Sequence, residues 1–224
     1  LVITDPKKEL YEKHGRQLEK EGYKISVLDL REPYSSAKWN PMNVLIRRIR
    51  LVKELQNNLI SKDGKYYGAG ETFLSFDAAR LRVQELKDEI YENAQDLVYS
   101  LCPVQNREQP TWEQGARNLI FGLVLAFCED CIKGKMDEKQ LMLFNVYHNI
   151  TKYCSEDTTA LKEYLLQGRD EFSKVRGLVN TVLITSDRTL TSYLSEVNAY
   201  MQQLSDDGIL SLTSENELDI LNMD

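Results

Sequence analysis

A chain of 224 residues, 42% hydrophobic and 28% charged, is long enough for one large domain or for a domain with part of another. That composition excludes disordered, collagenous and disulfide-scaffold classes. The formal charge of −7 is uneven: residues 1–44 hold 8 basic and 7 acidic side chains, residues 45–204 hold 20 and 22, and residues 205–224 hold 0 and 6. A dedicated duplex-DNA reader needs a basic surplus to neutralise phosphates, so the near balance of the central block favours protein partners over naked DNA.

The chain opens on Leu1-Val2-Ile3-Thr4, a β-branched run that stops at the turn-forming pair Asp5-Pro6. A strand is expected there, already under way, which reads as the start of a segment excised from a longer protein. Lys8 to Lys20 mixes Leu10, Tyr11 and Leu18 with charges and ends before Gly22, so it predicts a surface helix with a glycine stop. Lys24 to Leu30 predicts a second strand, and strand–helix–strand in so short a span predicts one βαβ unit of a parallel sheet. Arg31 to Pro41 holds two prolines and two serines and predicts a connecting loop.

Beyond it the pattern becomes helical. Leu45, Ile49, Val52, Leu55 and Leu59 recur at helical spacing, Lys62 to Gly70 predicts a glycine-rich turn, and Asp77 to Leu101 predicts a second long helix closed by Pro103. Thr111-Trp112-Glu113-Gln114 has the spacing of a capping box, so a buried helix is expected from there to about Ile132. Its apolar run, Leu119 to Cys128, is about half the roughly 20 residues that a bilayer-spanning helix needs. Asp137 to Tyr153, Asp157 to Leu166, Asp170 to Thr185 and Asp187 to Leu204 each begin near an acid, which suits the positive end of a helix. Ile209 to Asp224 loses helical periodicity and gathers β-compatible and acidic residues. The expected organisation is mainly α: an α/β piece over 1–44, an all-α domain over 45–204, and a return segment over 205–224.

Much catalytic chemistry is missing. No G-x-x-x-x-G-K-[ST] occurs, and no apolar strand ends in Asp-Glu to hold magnesium, so this chain is not expected to hydrolyse ATP or to hold a cofactor itself. Gly64-Lys65 and Gly68-Ala69-Gly70 have the wrong order for a phosphate loop. Cys128 and Cys131 have the spacing of half a zinc site, but structural zinc takes four ligands and no second close pair exists, so they read as ordinary thiols of a reducing compartment. His14 and His148 sit in no arrangement that defines a triad, and no catalytic or metal-binding residue is predicted. Arg47, Arg48, Arg50 and Lys53 lie opposite the apolar stripe of their helix, either as a solvated face or as contacts for phosphate or an acidic cargo tail.

Val2-Ile3-Thr4-Asp5-Pro6-Lys7-Lys8-Glu9-Leu10-Tyr11, then Gly22-Tyr23-Lys24-Ile25, Val27-Leu28-Asp29-Leu30 and Trp39-Asn40-Pro41, resemble the segment after the P-loop strand and helix in TraG-type conjugative coupling proteins. The family's usual runs are TDPKGEL and WNP, and Lys8 stands here in place of the glycine. The resemblance continues more loosely through Trp112-Glu113 to Leu125, Ser192-Tyr193-Leu194 and Leu218-Asp219-Ile220. It implies an all-α domain inserted in a RecA-like α/β ATPase fold, of which only a short β-α-β piece is present. It also implies a parent that uses ATP and magnesium, forms a homo-hexamer, is anchored at the cytoplasmic face of the bacterial inner membrane, and passes relaxase–DNA or other protein cargo to a type IV secretion channel. Asp5 and Lys7 would then lie near the nucleotide in the parent, or form only a turn with a solvated lysine. Trp39, Asn40 and Pro41 would dock the helical insert on the ATPase core. Two other roles stay open: a structural module that positions subunits of the ring, and residual nucleotide binding by the α/β remnant.

Overall fold

A computed structural model describes residues 2–104, 110–154 and 158–218. The chain divides into two compact units, Leu1–Asn40 with Asp207–Asp224, and Pro41–Asp206. The first unit contains helix α1, Glu9–Lys20, with Glu9 and Glu12 in its first turn and Lys20 in its last, charges placed to suit the helix dipole. Gly22, at φ 95°, takes the left-handed conformation that ends such a helix. The expected strands do not form: residues 2–5 and 23–29 run as irregular backbone, and Leu1 lies outside the described residues. β-branched alternation prepares a face but a strand exists only in a ladder, and among the described residues neither segment has a ladder partner.

The second unit is the helical one. α2, Asn43–Asn57, buries Leu45, Ile49, Val52 and Leu55. Where a glycine-rich turn was expected, the chain instead forms an antiparallel meander of β1 (Ile60–Lys62), β2 (Lys65–Gly68) and β3 (Glu71–Phe73), in the order β1-β2-β3. Asp63 and Gly64, at φ 50° and 72°, make the first connection, and Ala69 and Gly70, at φ 53° and 75°, the second. Two successive left-handed residues twist the chain as a tight hairpin requires.

α3, Phe76–Leu101, starts at Ser75, whose hydroxyl accepts the Ala78 N–H at 3.1 Å. α4, Thr111–Ile132, is the centre of the unit and is buried on nearly every side from Gly115 to Cys131. The expected capping box at Thr111 does not form. Pro110 occupies the cap position in a near-helical conformation, so Thr111 is already inside the helix and no side chain caps it. α4 packs against α2 and α3, and against two later helices that begin at Lys174 and Asp187. Phe121 projects from it between Tyr91 and Tyr99 of α3, with ring centroids 5.0 and 6.3 Å away.

The helix expected from Asp137 is divided. Asp137 and Gln140 form a capping box around a 3-10 turn, Glu138–Gln140, and α5 follows as Leu143–Tyr153. α6, Thr159–Lys162, passes directly into a π-helical turn, Glu163–Gln167; its expected start at Asp157 lies outside the described residues. α7, Lys174–Leu183, is shorter than expected because residues 170–172 are spent in a turn. α8, Asp187–Met201, is capped by Ser186 and ends in a 3-10 turn, Gln202–Ser205. Among the described residues no helix is long and apolar enough to cross a membrane.

The chain then re-enters the first unit as α9, Asp207–Thr213, which corrects the expectation of a non-helical return; residues 219–224 lie outside the described residues. Gly208 and Leu212 are buried at i, i+4 spacing, so the return segment packs through one short helical face.

Candidate functional site

In the first unit the returning chain is tied to the departing one. The Trp39 N–H donates to Leu212 O at 2.8 Å, the Glu217 N–H donates to Lys38 O at 2.8 Å, and Glu217 Oε2 accepts the Lys38 N–H at 3.0 Å. Lys38 Nζ lies 3.2 Å from Glu215 Oε2. Trp39 is half-buried and Asn40 buried, and the passage from one unit to the other falls between Asn40 and Pro41.

Asp5 is engaged within its own segment, its Oδ2 accepting the N–H groups of Leu10 and Tyr11 at 3.0 Å each. Lys7 is exposed. One oxygen of the Asp5 carboxylate is thus committed to free amides of a helix start. Lys8 has φ 61°, the left-handed region in which the family's usual glycine at this position costs nothing. Its ammonium lies 2.5 Å from Asp29 Oδ2 and 3.3 Å from Glu32 Oε2. The hydrogen bond from Lys8, then the Arg31 N–H, hold the Asp29 carboxyl below its ordinary range, and the same contact with Asp29, then Glu32, raises the Lys8 ammonium. Asp29 is a partner that sequence reading did not single out.

The basic quartet on α2 is not an open stripe. Arg48 Nε lies 2.6 Å from Glu89 Oε2 on α3, while Arg50 Nε and Lys53 Nζ grip the two oxygens of Glu138 at 2.7 and 3.0 Å. Arg47 is half-buried. Burial pushes the Glu138 carboxyl up, but the hydrogen bonds from Arg50 and Lys53 together outweigh it and leave the group below its ordinary value. Three of the four candidate cargo contacts thus fasten α2 to α3 and to the turn after α4.

A buried polar cluster escaped the sequence reading altogether. Arg169, with its side chain 2% exposed, donates through both terminal nitrogens to Asp130, and Tyr164 OH donates to the same carboxylate at 2.6 Å. Beside it Ser173 Oγ donates to Glu129 Oε1 at 2.7 Å. The readable signal was the pair Glu129-Asp130 at the end of an otherwise apolar helix, since buried carboxylates need partners; the partners lie some forty residues on and no local spacing names them.

The thiols of α4 are inert in their surroundings. Burial pushes Cys131 up to about 12 and Cys128 further, and Cys102 at the end of α3 is likewise pushed to about 12. A thiol so held is not a ready nucleophile. Among the described residues no three His, Cys, Asp or Glu side chains are grouped to hold a metal ion.

The class defined by these observations is an α-helical module carried between two segments of a smaller unit, with Arg48, Arg50, Lys53 and Arg169 engaged in ion pairs within the module. A family model described as type IV secretory system conjugative DNA transfer matches residues 1–224, and the chain belongs to that family, that of the TraG-type conjugative coupling proteins. No curated protein and no solved structure matches the chain. Its role lies in conjugative DNA transfer through type IV secretion.

Proposed function

We propose that the helical unit Pro41–Asp206 is the cargo-recognition module of the coupling protein. It receives relaxase–DNA or other secreted protein cargo and delivers it to the secretion channel, with direct DNA contact secondary. The parent protein is a hexameric DNA-transport ATPase that uses ATP and magnesium at the cytoplasmic face of the inner membrane. The observation that carries this reading is the paired crossover, in which Lys38-Trp39 leaving the first unit is hydrogen-bonded to Leu212 and Glu217 returning to it. The helical unit is thereby an insertion whose two connections lie side by side in the first unit, an arrangement that supports a separate recognition module. The near-neutral charge of residues 45–204 supports protein over DNA as the principal partner.

The test is a titration of the 224-residue chain against the relaxase and accessory proteins encoded beside its gene, with single-stranded and duplex DNA in parallel at physiological salt. Saturable protein binding with little DNA affinity is expected. Binding to DNA alone, with steep salt dependence, would move the function to strand handling, and binding to neither would make the module a structural element of the ring.

A further inference from the structure

The meander β1–β3 is pinned on one side and free on the other. Phe73 is buried, Tyr66 lies 5.8 Å from Phe76 of α3, the Ala69 N–H donates to Glu54 Oε1 of α2 at 2.9 Å, and Arg82 of α3 reaches Glu71 Oε1 at 3.2 Å. A methyl group on Gly68 would press on Leu55 and Leu59, so the sheet sits close on its support. The register pairs Ile60 with Tyr67 and Tyr67 with Thr72, which puts these three on the opposite face along with Lys62 and Lys65. There Ile60 is 64% exposed and Tyr67 36%; Leu74, in the bend that follows β3 outside the ladder, is 79% exposed.

The cations on this face differ from those of α2. Lys62 and Lys65 stand directly opposite each other across the β1–β2 ladder, and among the described residues neither has an acidic partner. Like charges in that position repel, and an anionic ligand would relieve the repulsion. β1 is an edge strand, paired among the described residues only with β2, so its outer side is open to an added strand.

We propose that this outer face is the docking surface for an extended, acidic segment of the cargo that also carries apolar side chains, its carboxylates meeting Lys62 and Lys65 and its apolar residues covering Ile60, Tyr67 and Leu74. The inference rests on the cargo-recognition reading and names the part of the module that does the recognising. A nucleic-acid strand fits less well, because two ammonium groups neutralise few phosphates and, of Ile60, Tyr67 and Leu74, only Tyr67 can stack on a base.

The test uses fluorescence anisotropy of the whole chain with three labelled synthetic peptides and an oligothymidylate strand. In one peptide glutamate, leucine and tyrosine occupy every second position with serine between them, so that carboxylates and apolar side chains share one face of the extended chain; a second carries lysine for glutamate, and a third carries serine for the apolar residues. Binding is expected for the first alone, weakened roughly tenfold by Lys62→Glu with Lys65→Glu, and weakened likewise by Ile60→Ser with Leu74→Ser. All four positions are exposed, so circular dichroism and thermal melting should be unchanged and misfolding is excluded as the cause. Equal binding of the lysine peptide, preference for oligothymidylate, or indifference to the four substitutions overturns the proposal. Full cargo binding by the Lys62→Glu, Lys65→Glu variant overturns this face while leaving the cargo-recognition reading standing; absence of cargo binding by the unaltered chain overturns that reading and this proposal with it.

Discussion

Arg169 holds Asp130 through two nitrogens, at 2.8 and 3.0 Å, in the interior of the helical unit. The pair joins the end of α4 to the turn that follows the π-helical segment, and Ser173 to Glu129 makes a second joint beside it. Removing one member of a buried ion pair leaves the other charge without compensation, so Arg169→Met should cost about 3–5 kcal/mol. Asp130→Leu combined with Arg169→Met should be less destabilised than either single variant, because no buried charge is left alone at the pair. Urea unfolding of the three variants checks this, and a double variant as unstable as the sum of the singles would contradict it.

Gly115 and Gly122 lie one heptad apart on α4 and admit Tyr193 and Val179 to the helix backbone. A Cβ at Gly122 would collide with Val179 Cγ1, and one at Gly115 would enter the Tyr193 ring. Alanine ordinarily strengthens a helix relative to glycine by roughly 0.5–1 kcal/mol. Here overpacking should win, with a net loss of about 1–3 kcal/mol for Gly122→Ala. Adding Val179→Ala should restore much of it, and thermal melting of the single and double variants measures the recovery.

The helices were legible wherever burial is one-sided or complete, since Leu45, Ile49, Val52 and Leu55 mark a face by spacing and Leu119 to Cys128 marks a core run by length. The meander had a signal too: Asp63-Gly64 between β-compatible residues is a strong hairpin pattern, outweighed in the reading by the glycines around it. The same capping-box spacing occurs at Thr111–Gln114 and Asp137–Gln140 and only the second forms, because Pro110 moves the first cap position back by one residue. What spacing could not show was where charges go. Arg50 and Lys53 meet Glu138, and Arg169 meets Asp130, across separations that only packing decides.

Lys8 combines an unfavourable backbone with a favourable side chain. At φ 61° it sits where glycine is preferred, yet its ammonium joins Asp29 and Glu32. Lys8→Met keeps the backbone cost and removes both ion pairs, whereas Lys8→Gly removes the pairs and the cost together. Melting temperatures should therefore fall in the order Lys8→Gly above Lys8→Met. Because Lys8 and Glu32 are open to solvent, the gap between the unaltered chain and Lys8→Met should narrow as salt rises; a reversed order, or a gap indifferent to salt, would remove the ion pairs from the account.

Glu138 gives the fold a defined response to acid. Its carboxyl is held below the ordinary range because Arg50 and Lys53 outweigh the effect of burial, so the folded chain binds this proton less readily than the unfolded chain does. The contribution to stability is therefore fully present above the unfolded value near 4.5 and is lost as pH falls through the lower folded value. Arg50 is 63% exposed, so solvent screening limits the contribution to about 1 kcal/mol. Glu138→Gln should be less stable than the unaltered chain at neutral pH by that order, and the two should converge as pH falls below 4.5 and through the lower folded value. Urea midpoints measured from pH 7 downward decide it: a difference that persists undiminished into acid would mean that Glu138 acts by shape or by neutral hydrogen bonds, and that its charge does not fasten α2 to the turn after α4.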